Sequence, residues 1–185
     1  YSIATPGPVV YYSGEEPRCL LRGRQKKIKS GLGLADRRIP FYLADPDDPP
    51  RRVRFDIESN IEKLRVLIRE FHPVLCVFEP LAQLHTQDEN KAGELLTEFL
   101  EPLSTVVLET GVSILLSHHV AKAPDREGAL AMRGSSALWG WYDAGFHARA
   151  SNDGGYVKMT FEHRRLRPQL PLCYQIVDGV CTDGV

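Results

Sequence analysis

Val74-Leu75-Cys76-Val77-Phe78-Glu79 is an unbroken apolar run that ends on a carboxylate. It is too short for a helix and shows no polar alternation, so it reads as a strand covered on both faces, as in a parallel sheet. Just upstream, Ile57, Ile61, Leu64, Leu67, Ile68 and Phe71 recur at helical spacing. They predict a helix over 57–71, with Asp56 as its N-cap. Downstream, 84–90 is a polar loop and 93–110 a long amphipathic helix, interrupted or kinked near Pro102. Val112-Ser113-Ile114-Leu115-Leu116-Ser117 then repeats the first pattern and runs into His118-His119. Strand, helix, strand in this order implies parallel pairing.

Toward the N-terminus, Pro8-Val9-Val10-Tyr11-Tyr12-Ser13 is a further buried strand, ended by Gly14. Residues 15–31 suit a basic surface helix whose end is marked by Gly31 and Gly33. A short strand over 39–44 and an acidic, proline-rich loop over 45–50 follow. Toward the C-terminus, 121–132 reads as a loop and 135–142 as a short helix. Three strands are predicted over 144–150, 156–162 and 172–177, the first two joined as a hairpin through Asp153-Gly154-Gly155. The expected fold is α/β, in three layers, with a mainly parallel sheet extended by antiparallel C-terminal strands in one domain over 1–185.

Composition narrows the function classes. Of 185 residues, 43% are hydrophobic and 25% charged, enough apolar content for a packed core. The net charge of −1 argues against a dedicated polybasic module, although a basic patch can be local. Cys19, Cys76, Cys173 and Cys181 contain no C-x-x-C pair, so neither a zinc site nor a disulfide framework is expected, and a cytoplasmic setting is. No apolar stretch approaches the length of a membrane span, and no leader opens the sequence.

In parallel α/β sheets, ligands bind beyond the carboxyl ends of the strands. Three strands here end in polar clusters: Gly14-Glu15-Glu16, Glu79, and Ser117-His118-His119. If the strands are neighbours, the clusters meet in one crevice. Along the chain these clusters fall in order with Phe78-Glu79-Pro80-Leu81, Asp88-Glu89-Asn90, Lys122, Arg133-Gly134-Ser135-Ser136-Ala137-Leu138 and Glu162-His163-Arg164. The ordered set resembles the AAA-type, RecA-fold ATPases related to the RepA replicative helicase, over nearly the whole chain.

That resemblance implies roles. Glu15 would be the catalytic glutamate that orients the attacking water; on its own it would read as an acid favoured at a helix start. Glu79 would stand where the family usually carries an aspartate that holds Mg²⁺ through water, a departure that adds a methylene. His118 and His119 would form a sensor pair, and alternation along a strand turns one of them, not both, toward the nucleotide. Arg133 would be an arginine finger reaching a neighbouring subunit. Gly14, Ser117 and Arg164 would line the nucleotide, while Lys122 and Arg126 would face DNA. ATP and Mg²⁺ are the implied cofactors, and single-stranded DNA and further copies in a hexameric ring the implied partners, with no membrane.

No G-x-x-x-x-G-K-[ST] occurs, and Gly31-Leu32-Gly33 lacks the lysine and follows a helix. The resemblance places the phosphate loop and its strand upstream of Tyr1, so this segment by itself is expected to bind ATP weakly or not at all. Two rival readings remain: a non-catalytic ring or DNA-associated scaffold, and a metal-dependent hydrolase using His118, His119, Glu162 and His163. Against the hydrolase, the sequence has no H-E-x-x-H, and adjacent histidines on a strand seldom chelate one ion.

Overall fold

The computed structural model describes residues 5–44, 53–88, 91–119, 136–151, 155–165, 167, 169–177 and 180–183. The expected loops over 45–50 and 121–132, with Lys122, Arg126 and Arg133, lie outside them. So does most of the Asp153-Gly154-Gly155 turn. By its internal contacts the chain divides into two compact units, each described in turn.

The first unit is built on a four-stranded, all-parallel sheet. Its strands are β1 (Val9–Ser13), β2 (Phe41–Leu43), β3 (Leu75–Glu79) and β4 (Ser113–Leu116), in the order β2-β1-β3-β4. The apolar runs therefore do form neighbouring parallel strands. Register pairs Val10 with Cys76, Tyr12 with Phe78 and Ser13 with Glu79. Val10, Tyr12, Cys76 and Phe78 share one face by period-2 alternation and are buried. Burial also pushes the Cys76 thiol pKa up to about 11, so it remains an inert thiol. The expectation of equal cover on both faces is corrected here. The intervening residues of β3 are only half-buried, and Ser113 and Leu115 of β4 are exposed. Among the described residues β4 pairs with β3 alone, which makes it an edge strand.

Helix α2 (Glu58–Phe71) buries Ile61, Leu64 and Ile68, one helical stripe. The predicted Asp56 cap does not form: Ile57 occupies the cap position without a side-chain bond. The Asp56 carboxylate instead accepts hydrogen bonds from the Thr86 amide, at 2.8 Å, and the Thr86 hydroxyl, tying the helix entrance to the loop after β3. The predicted 93–110 helix is a helical run with an irregular turn. It comprises α3 (Ala92–Leu95), a wider π-type turn (Leu96–Leu100) and α4 (Glu101–Thr110), with the Glu101 amide bonded to the Leu96 carbonyl. Pro102 follows this wider turn directly, so the expected irregularity near Pro102 is present as a π-type turn while the run continues through it. Leu95, Phe99, Leu100, Leu103 and Val106 are fully buried from this run. Gly111 closes it at φ 70°, a left-handed conformation that glycine adopts freely. Arg65 on α2 donates to Glu109 on α4 at 2.9 Å.

The second unit contains nearly all of α1 (Arg18–Gly31) and an antiparallel sheet. Pro17 immediately precedes α1, which starts three residues later than the sequence pattern predicts. The strands β5 (Ala144–Ala150), β6 (Val157–His163), β7 (Leu172–Val177) and β8 (Val180–Asp183) pair in chain order. β8 is not anticipated by the sequence reading. The α/β class with parallel and antiparallel strands holds. The antiparallel strands, however, form a sheet of their own rather than hydrogen-bonding onto β4. Each finds its partner in its chain neighbour, so the meander satisfies its backbone locally. The short α5 (Ser136–Trp141) precedes β5.

Candidate functional site

At the carboxyl ends of β1, β3 and β4, the first unit assembles hydroxyl, carboxylate and imidazole groups. Ser13, almost wholly buried, donates to Glu79 Oε1 at 3.2 Å. Its Oγ also accepts from the Glu16 amide at 3.1 Å and, at a longer 3.4 Å, from the Glu15 amide. One hydroxyl therefore fixes the turn after β1 and the acid after β3 together, as serine side chains do at turns. The Gly14 amide donates to the Glu79 carbonyl at 2.7 Å, extending the β1–β3 ladder by one bond.

Gly14 is required by close approach: a Cβ there would stand 2.8 Å from Cβ of Gln83. Gln83 belongs to the short 3₁₀ turn Leu81–Gln83 that follows Glu79 and Pro80. The backbone of Ser117 stitches this turn to β4. Its amide donates to the Phe78 carbonyl at 3.0 Å, and its carbonyl accepts from the Leu81 amide at 2.7 Å.

His119 Nε2 lies 3.9 Å from Glu15 Oε1, with both side chains largely in solvent. Of the adjacent imidazoles, His119 is therefore the one beside the acid; His118 is half-buried. Gly14, Glu15, Glu79, Ser117 and His119 thus share one edge of the sheet. A carboxylate beside an imidazole, over a second carboxylate held by a buried hydroxyl, can position a water and bind a hydrated cation. Among the described residues no three His, Cys, Asp or Glu side chains cluster as a metal site. The donor set of oxygen atoms suits Mg²⁺, which keeps several waters and leans on one or two carboxylates plus substrate phosphates.

Arg164 belongs to the second unit. Its guanidinium donates to the Trp139 carbonyl at 2.8 Å and to the Gly140 carbonyl, capping the last turn of α5. Glu162 is likewise engaged within that unit. Tyr142 donates to Glu162 Oε2 at 2.9 Å, and His147 Nε2 approaches the same oxygen to 3.3 Å without hydrogen-bond alignment. Burial, then the bond to Glu162, pushes the Tyr142 pKa well above the ordinary phenol range.

Sequence reasoning missed Ser13 and Gln83. A serine before a glycine at a strand end was a readable signal for a turn-fixing hydroxyl. Gln83 had none, because its contact with Gly14 depends on how the chain turns after Glu79.

Parallel strands with an acidic and imidazole-bearing carboxyl edge define an α/β protein with its candidate ligand site beyond the strand ends. Residues 2–125 match the AAA domain family, and the chain belongs to that family. Its fold is similar to the crystal structure of the RadB recombinase, with a TM-score of 0.66 and 16% sequence identity over 97% of this chain and 80% of that one. At that identity the likeness speaks for a RecA-like fold alone. No curated protein matches the chain in sequence.

Proposed function

We propose that this chain forms the greater part of an ATP-hydrolysing core of the RepA helicase type, coupling hydrolysis to movement on, or remodelling around, single-stranded DNA. The observation that carries the reading is the meeting of Glu15, Glu79 and His119 at the carboxyl edge of one parallel sheet. In this mechanism Glu15 orients the attacking water and accepts its proton as its oxygen bonds to the γ-phosphorus and the bond to the bridging oxygen breaks, with ADP as the leaving group. The Ser13 hydroxyl keeps Glu79 aimed at the cation position. His119, beside Glu15, changes its contacts when the γ-phosphate leaves, and so acts as the sensor; His118 on the other face passes that change into the protein. Mg²⁺, held by Glu79 through water, would neutralise charge on the phosphates. Arg133 would serve a neighbouring subunit's nucleotide in a hexameric ring, and Lys122 and Arg126 would line a DNA channel.

The phosphate loop and its strand would come from sequence ahead of this segment. The edge of β4 that is unpaired among the described residues, with Ser113 and Leu115 exposed, is where such a strand would pair. The test is the DNA-stimulated ATPase activity of the full-length protein with and without Glu15→Gln. A loss of 10²-fold or more in kcat, on the order of general-base effects, is expected. Hydrolysis that survives the substitution unchanged would remove Glu15 from the mechanism. A full-length wild type that binds the ring partner or DNA but hydrolyses nothing would favour the scaffold reading.

A further inference from the structure

Helix α1 carries Arg18, Arg22, Arg24, Lys26, Lys27 and Lys29 and no acidic side chain. Outside those six, the chain has 17 basic against 24 acidic residues, so a nearly neutral protein concentrates its positive charge on one helix. The distribution around the helix is also uneven. Arg18, Arg22, Lys26 and Lys29 are spaced four, four and three residues apart, which stacks them in one line, a charge per turn, over about 16 Å. Arg22 and Lys26 are exposed, and Lys29 is partly so. Leu21, about a quarter-turn from that line, is buried against the protein. Ile28 lies two turns along from Leu21 on the same side, and it is exposed.

We infer that this line is a binding surface for the phosphate backbone of a nucleic acid, built from residues other than Lys122 and Arg126. A row of cations repeating once per turn matches a polyanion whose charges also repeat at short, regular intervals. A bilayer fits less well. Membrane-surface helices offer a broad apolar face to the lipid, whereas α1 carries only Leu20, Leu21 and Ile28 as large apolar side chains, Leu21 buried and the other two exposed, against six cations. The binding is of the sequence-independent kind, positioning the strand without reading bases. It adds a phosphate-holding site to the DNA partner in the proposed function, yet it does not need ATP hydrolysis, so the two fail separately.

The experiment measures binding of a labelled 30-nucleotide oligo(dT), and of a duplex of equal length, to this chain without nucleotide between 50 and 200 mM salt. The proteins are wild type, the triple variant Arg22→Gln/Lys26→Gln/Lys29→Gln, and Lys27→Gln, which lies off the line. Because the altered side chains reach into solvent, circular dichroism melting of the triple variant should match wild type. The slope of log K against log salt should fall in magnitude by about 2 for the single strand and about 3 for the duplex, and Lys27→Gln should change it by less than one. Unchanged slopes in the triple variant overturn the inference. So does an equal loss from Lys27→Gln, which would mean diffuse charge rather than a line. Vesicles of phosphatidylcholine and phosphatidylserine form the control arm: a triple variant that loses vesicle binding but keeps its oligonucleotide slope overturns it in favour of a membrane. Glu15→Gln, which tests the hydrolysis reading, should leave these slopes as in wild type.

Discussion

The parallel sheet keeps its polar groups at the strand tips, whereas the antiparallel sheet keeps Tyr142, His147 and Glu162 across its face. In the first, Val10, Tyr12, Cys76 and Phe78 seal the middle of the strands, and the residues beyond them are left for chemistry. In the second, side chains alternate between half-buried and exposed along β5, and polar contacts between neighbouring strands are part of what holds the sheet. A tip can therefore change its chemistry without unseating a core, while a face cannot. Two aromatic truncations sharpen this. Substitution of Phe99, fully buried in the π-type turn of the first unit, by alanine should cost about 3–5 kcal/mol. Phe146, 55% exposed and touching Phe161 edge-on at 5.4 Å, should lose about 1 kcal/mol. Urea midpoints of the two variants measure the difference. Equal losses would mean that the antiparallel sheet has a core of its own, and the contrast would be gone.

The tip of β1 offers a smaller effect. Gly14→Ala drives a methyl into Gln83, and overpacking of this kind costs about 1–3 kcal/mol. If Gln83 is the obstacle, pairing the change with Gln83→Ala should recover much of the loss, which a double-mutant cycle would register as coupling. Additive losses would instead locate the strain in the backbone of the Gly14 turn.

How much of this was legible follows from the same contrast. The runs at 74–79 and 112–117 announce their strands because each is a short, largely apolar stretch that ends abruptly in polar residues, and Glu79 and His118-His119 stand out against those runs. Registers and neighbours were not legible, since they depend on crossovers that periodicity does not encode. Pairing of Ser13 with Glu79 could only be learned from the fold. Asp56 misled because a carboxylate before a helix is a good cap in isolation, while Thr86, 30 residues on, competes for it successfully. Strand β8 escaped notice because Val180-Cys181-Thr182-Asp183 is too short and mixed to rise above a loop.

The last prediction concerns the face cluster itself. Tyr142 lies over Gly145, where a Cβ would stand 3.2 Å from its ring, and it donates its proton to Glu162. An unfolded chain releases a phenol proton near pH 10, but the folded chain holds this one more tightly, first through burial and then through the carboxylate. A folded-state pKa above the unfolded value contributes stability that is complete below about pH 10 and is lost as pH rises beyond it. The urea midpoint of wild type should therefore fall more between pH 9 and pH 11 than that of Tyr142→Phe, in which the other tyrosines titrate as before. Glu162→Gln should give an intermediate slope, because it keeps the buried ring while removing the charge that the phenol leans on. Identical slopes in all three proteins would mean that the phenol is as free to ionise as one in water. The polar groups of the antiparallel sheet would then decorate its face without helping to hold it.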